Sequence, residues 1–232
     1  MHIGLIGGIG VAATLVYYQR LTTAVTAMGG RMECTIVHAQ VQDLLRTNTN
    51  DLRDEQAAIY APLIDLLKAA GADCAAITSL GGHFCFEETV KLSSLPLVSA
   101  ITPLDDYFAG EGLTKVGILG TRVVMRTGFY GSLNKTTPLA PEDIDTVGQT
   151  YNDMAVAGHC TEEQRALFLK TGQDLTERGA EAVILGGTDL NLAFDGQDTG
   201  YRVIDALDVH VDILARLAIG QISLADVGAN GG

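Results

Sequence analysis

Two glycine-rich turns carry the first chemistry that this 232-residue chain suggests. Gly8-Ile9-Gly10-Val11-Ala12-Ala13 follows an apolar, strand-like run and opens a helical pattern. Glycines there let the backbone turn tightly, and N–H groups at a helix start attract an anion. The spacing matches the dinucleotide fingerprint G-x-G-x-x-A, which also requires an acidic residue at the end of the second strand to hold a ribose. That strand ends Val37-His38-Ala39-Gln40, with Glu33 at its opposite end. A small carboxylate is therefore the better anion. The second turn, Gly120-Thr121-Arg122, could hold another carboxylate with amides and a guanidinium. The competing reading is two glycine turns with no ligand.

The elements that must position these turns alternate along the chain. Apolar strand candidates are 3–7, 33–38, 74–78, 97–99, 115–120 and 182–186, and helical patterns fall at 12–27, 54–70, 84–92, 122–133, 161–178 and 203–219. Short, continuous apolar runs are what parallel strands covered on both faces require. Gly71 and Gly179 close two of the helices, and Thr161-Glu162-Glu163 caps the fifth with an acidic first turn. The pattern predicts an α/β fold of parallel sheets with right-handed crossovers.

The chain also repeats itself. Ile3-Gly4-Leu5-Ile6-Gly7-Gly8 returns as Val116-Gly117-Ile118-Leu119-Gly120-Thr121, and Thr14 and Tyr17 answer to Thr127 and Tyr130 at the same offset of 113 residues. A second echo relates 71–79 to 179–187 at an offset of 108 residues. Two pseudo-symmetric halves follow, each a parallel sheet flanked by helices, with the active-site cleft expected between them. Residues 1–100 with about 205–232 form the first half, and 101–204 the second. The tail 228–232 reads as frayed.

The net charge of −13 argues against a nucleic-acid surface, which needs clustered Lys and Arg. No apolar run is long enough to cross a bilayer, and the first residues show no basic segment followed by an apolar stretch. Cys34, Cys74, Cys85 and Cys160 lie far apart without a C-x-x-C pair, which excludes a zinc site or a disulfide framework. Cys34 and Cys74 read as small core residues, and the cytoplasm is the expected location.

Three stretches resemble the aspartate/glutamate racemase superfamily. They are Gly7–Thr14 with Tyr17-Tyr18; Lys115–Arg122 followed by Thr127-Gly128-Phe129-Tyr130; and Gly179–Gly186. The resemblance runs from residue 1 to about 218. It implies two pseudo-symmetric α/β domains, no pyridoxal phosphate or metal, a small amino-acid or carboxylate substrate held between the domains, and a homodimer. The family carries one cysteine per half, on opposite sides of the substrate α-carbon. One thiolate removes the proton and the other thiol returns it.

This sequence departs from that pattern at both positions. Where the family reads Cys-Asn-Thr-x-His, the chain has Ser79-Leu80-Gly81-Gly82-His83; where it reads Gly-Cys-Thr-Glu, the chain has Gly186-Gly187-Thr188-Asp189. A thiol with a pKa near ~8.5 yields thiolate with a modest shift, whereas a serine hydroxyl needs a neighbouring base. His83, four residues on, is the nearby histidine that one helical turn could bring to Ser79. The alternative is that it supports the loop.

By the resemblance, Asp189 replaces a glutamate at the mouth of the cleft, as a desolvated base or as a helix N-cap. Ser79, Asp189 and His83 are thus the candidate catalytic residues. Gly8, Ile9, Gly10, Gln40, Leu80, Gly81, Thr121, Arg122, Gly187 and Thr188 are the candidate substrate contacts, Thr188 as a donor to a substrate carboxylate. Arg46 lies in the stretch that follows Gln40, Cys85 reads as core, and His159-Cys160 as a loop before a helix. The expected function is isomerase-type proton transfer without pyridoxal phosphate on a small amino acid or dicarboxylate, using non-standard acid–base groups. The alternatives are a lyase or decarboxylase, with Gly187 making room for a larger substituent, and a ligand-binding pseudoenzyme.

Overall fold

In a computed structural model, which describes residues 1–229, the apolar runs become two separate four-stranded parallel sheets. The chain divides into two compact units, Met1–Ala100 with the segment from His210 onward, and Ile101–Val209. No helix among the described residues is long and apolar enough to cross a membrane.

The first unit holds β1 (His2–Gly7), β2 (Glu33–His38), β3 (Cys74–Ile77) and β4 (Leu97–Val98) in the order β2-β1-β3-β4. Its helices are α1 (Val11–Ala27), α2 (Val41–Thr49), α3 (Arg53–Ala69) and α4 (Phe86–Leu92). The second unit contains α5 (Leu104–Gly110), β5 (Lys115–Gly120), α6 (Arg122–Gly131), β6 (Thr137–Leu139), α7 (Ile144–Ala157), α8 (Glu162–Glu177), β7 (Ala182–Gly186), α9 (Asn191–Phe194) and β8 (Val203–Asp205). Its sheet has the matching order β6-β5-β7-β8. The last helix, α10 (Ala206–Ala218), begins in the second unit's sequence and continues in the first's.

Central strands read as unbroken apolar runs because helices cover both faces: β3 and β7 are buried at every residue. The edge strand β2 mixes exposed and half-buried positions. The sequence echoes have a packing cause. A Cβ on Gly4 of β1 would meet Leu67 Cδ1 at 2.9 Å and Ala72 Cβ at 3.2 Å; on Gly117 of β5 it would meet Leu175 Cβ at 2.9 Å and Ala180 Cβ at 3.3 Å. Each sheet thus keeps a glycine where the following long helix and its exit press closest. Tyr17, Leu5, Ile64 and Leu67 in one core, and Phe108, Phe129 and Phe168 in the other, are fully buried. Each contributes about 1.5–3 kcal/mol by leaving water.

Several sequence expectations change. The helix expected over 203–219 begins with strand β8, whose Val203 and Ile204 pair with Val183 and Ile184; Asp205 Oδ1 then accepts the Leu207 N–H at 3.0 Å and starts α10. The helix expected over 84–92 is a 3-10 turn at Gly81–Cys85 followed by α4. The helical pattern at 122–133 breaks at Gly128, Phe129 and Tyr130, three consecutive left-handed residues. Gly228 and Ala229 of the tail make turn hydrogen bonds to Ala225 and Leu224, and residues 230–232 lie outside the described residues. The sequence shows no obvious interface stripe, yet α1 presents Val11 at 58% and Leu15 at 64% exposure, with Tyr18 one turn on.

Candidate functional site

In the first unit, the turn after β1 is tied shut by hydroxyls. Gly8 N–H donates to Thr14 Oγ1 at 3.0 Å, and that hydroxyl donates to the Gly10 carbonyl at 3.0 Å and lies 3.2 Å from Thr78 Oγ1. The Gly8 amide is therefore spent on the loop itself and is no free anion donor. A cavity of about 170 Å³ beside the turn is lined by Gly7, Gly8, Val11, Thr14, Leu15 and His38 among others. Typical ligand sites span roughly 300–1,000 Å³, so a dinucleotide does not fit it. Ile9 and Gly10 are buried, whereas Gln40 is an exposed residue at the start of α2 whose side chain makes no cap. Arg46 pairs with Glu55 at 2.6 Å on the surface.

The loop after β3 folds around His83. Its Nδ1 lies 2.7 Å from the Ser79 carbonyl, and the Ala100 N–H donates to Nε2 at 3.0 Å. A carbonyl only accepts, so Nδ1 carries the proton and Nε2 is the acceptor. Burial pushes the imidazole down to about 4, with the Ser79 carbonyl opposing the shift. His83 is a neutral pin between two backbone groups, not an acid or base. Nor does its ring reach the serine hydroxyl: Ser79 Oγ accepts the Gly82 N–H at 3.2 Å. Leu80 and Gly81 are buried in the same turn, and Asn48, which sequence reasoning did not single out, donates to the Gly81 carbonyl at 3.1 Å. Cys85 is buried, and burial pushes its thiol up to about 11, which leaves it unreactive.

In the second unit, Thr121 caps α6, its Oγ1 accepting the Val124 N–H at 3.3 Å. Arg122 turns away to α7: its Nη2 donates to Gln149 Oε1 at 2.8 Å and its Nε lies 3.4 Å from Asp145 Oδ1. That guanidinium is committed to a helix and is not held ready for a carboxylate. His159 and Cys160 sit in the exposed loop before α8, whose Thr161 and Gln164 form a reciprocal capping box.

A buried tyrosine–carboxylate pair of this unit lies just beyond β7. Gly187 is extended (φ −134°, ψ 120°), Thr188 to Leu190 form a 3-10 turn, and Asp189 is 2% exposed. Its Oδ2 accepts the Tyr151 hydroxyl at 3.1 Å. Burial, then the charge of Asp189, pushes the phenol well above its usual 10, so Tyr151 stays protonated and donates. Among the described residues Thr188 Oγ1 is buried with no hydrogen-bond partner of good geometry, although it lies near enough to the phenol to favour its ionised form.

Tyr151 is the residue that sequence reasoning missed, because it stands on α7, a helix the pattern did not reveal. Its ring also fills the room expected beside Gly187: a Cβ there would lie 2.4 Å from Tyr151 Cε2. Among the described residues no three His, Cys, Asp or Glu side chains gather as metal ligands.

Comparison with known proteins agrees with this architecture. A candidate Asp/Glu racemase from Yersinia pestis superposes with a TM-score of 0.76 at 25% identity, covering 94% of this chain and 99% of its own. An aspartate racemase homologue from Pyrococcus horikoshii superposes with a TM-score of 0.74 at 23% identity, covering 94% and 98%. Among curated sequences, 165 residues are 27% identical to the "Probable tape measure protein" of Lactococcus phage p2, which covers 67% of this chain but only 16% of that protein's length. The family model for Asp/Glu/Hydantoin racemase matches residues 6–214, and the chain belongs to that family.

Proposed function

We propose that the chain catalyses isomerase-type proton transfer at the α-carbon of a small amino acid or dicarboxylate, with Asp189 as the base and without pyridoxal phosphate. The observation that carries this reading is the buried Asp189 carboxylate at the end of a central strand, held through one oxygen by a phenol that stays protonated. A carboxylate taken out of water is a stronger base than one in bulk solvent. In the reaction the substrate C–H bond breaks, the proton passes to the Asp189 carboxylate, and the electron pair spreads into the substrate carboxylate as an enediolate. A proton from water, delivered to the opposite face of the planar carbon, re-forms the C–H bond with inversion, and Asp189 gives up its proton to water.

The buried Thr188 hydroxyl supports the reading as the donor that holds a substrate carboxylate. Ser79 is the candidate group of the first unit, as a hydrogen-bonding residue, since its neighbouring histidine is engaged with backbone. The family membership and the names of the similar proteins suggest aspartate or glutamate and their analogues as the substrate class.

The test is to incubate single enantiomers of aspartate, glutamate and related dicarboxylic acids with the protein and resolve the products by chiral chromatography. Inversion of one of them supports the reading. Release of carbon dioxide with a shortened acid, or binding without any conversion, overturns it in favour of a lyase or a pseudoenzyme.

A further inference from the structure

The backbone of Gly187 does not require glycine, because its dihedral angles are ordinary extended ones that any residue adopts. The neighbouring side chain does. An added Cβ would lie 2.4 Å from Cε2, 2.6 Å from Cζ and 3.0 Å from the hydroxyl of Tyr151, inside contact distance for every one of them. Tyr151 is only 6% exposed, so its ring has little room to move aside. The same phenol donates to Asp189 Oδ2 at 3.1 Å. One side chain from α7 therefore occupies the space of the residue two positions before the carboxylate and holds the carboxylate itself.

We propose that Tyr151 and Gly187 are a matched pair in which the tyrosine ring replaces a side chain at 187 and its hydroxyl positions the Asp189 carboxylate for proton transfer. Tyr151 is a positioning residue in this scheme, acting through Asp189, and the positioning half rests on the reading of Asp189 as the base. The ring keeps water out of the volume beside Gly187, and the O–H fixes one carboxylate oxygen so that the rotamer is set before substrate binds.

Two measurements test the two halves separately. The first is a stability cycle by urea denaturation on Gly187→Ala, Tyr151→Ala and the double variant, and it needs no activity. If ring and glycine share one volume, each single variant is destabilised and the double variant loses clearly less than both losses combined. Additive losses overturn the pairing. The second is the kinetics of Tyr151→Phe, which keeps the ring and removes only the hydroxyl. We expect kcat for α-proton exchange to fall about 10- to 100-fold with KM within about two-fold. An unchanged kcat overturns the positioning role while leaving the reading of Asp189 standing. If the parent protein shows no exchange with any of the acids tested, the reading of Asp189 and the positioning role fall together, and the stability cycle still decides the pairing.

Discussion

At His83 the imidazole donates through Nδ1 to the Ser79 carbonyl and accepts through Nε2 from Ala100, which leaves it no nitrogen for substrate. Replacing it with alanine opens a buried cavity and leaves a carbonyl and an N–H unpaired. We expect His83→Ala to cost about 3–5 kcal/mol in urea denaturation. A variant of parent stability that has lost activity alone would instead make the ring a proton carrier.

The serine–histidine spacing was legible in the sequence, but which serine atom the ring meets was not. A spacing of four residues brings both the hydroxyl and the carbonyl within reach, and the local backbone decides between them. The same holds for Arg122, whose position after a glycine turn suggested a carboxylate clamp. The guanidinium goes instead to Gln149 and Asp145, on a helix that the pattern did not disclose.

Among the elements, the central strands were the easiest to read, since burial on both faces leaves unbroken apolar runs such as 115–120 and 182–186 with matching bounds in the structure. The short edge strands of the second sheet were hidden. β6 is Thr137-Pro138-Leu139, where proline argues against a strand, and β8 merges into the apolar pattern of α10. α7 was hidden by Gly148 in its second turn, a poor helix former kept because a Cβ there would lie 2.4 Å from Arg122 Cγ. Missing α7 meant missing Tyr151, since only the bare glycine at 187 hinted that another side chain fills that place.

The repeat makes a quantitative prediction at this scale. Gly4→Ala and Gly117→Ala push a methyl into Leu67 and Leu175 at equivalent points of the two sheets. Each should destabilise by about 1–3 kcal/mol, and by similar amounts, in equilibrium unfolding. A neutral result at either glycine would show that the helix can lift off its strand there.

For the molecule as a whole, two buried histidines set the response to acid. Burial pushes His83 down to about 4, and burial together with His83 pushes His210 down to about 3, its Nδ1 lying 2.9 Å from the Tyr17 hydroxyl. The unfolded chain binds protons at these histidines near pH 6.5 while the folded state refuses them until far lower pH. Their contribution is therefore fully present above about pH 6.5 and is lost progressively as pH falls from there to the folded-state values. Urea midpoints measured between pH 7 and 4 should fall steadily, and His210→Phe should flatten that fall. A midpoint that stays level down to pH 4 would mean that the histidines are charged in the folded state.

The chain belongs to the Asp/Glu/Hydantoin racemase family and has two parallel sheets of matching strand order, and the chemistry proposed for it rests on Asp189 beside Gly187. The most direct measurement is α-proton exchange by proton NMR in D₂O, with aspartate, glutamate and related dicarboxylic acids, on the parent protein and on Asp189→Asn. Asparagine keeps an acceptor for the Tyr151 hydroxyl and removes only the base. The account predicts loss of the α-proton signal with the parent protein and exchange at least about 100-fold slower with Asp189→Asn. Equal exchange rates in the two proteins, or line broadening without exchange in the parent, would contradict it.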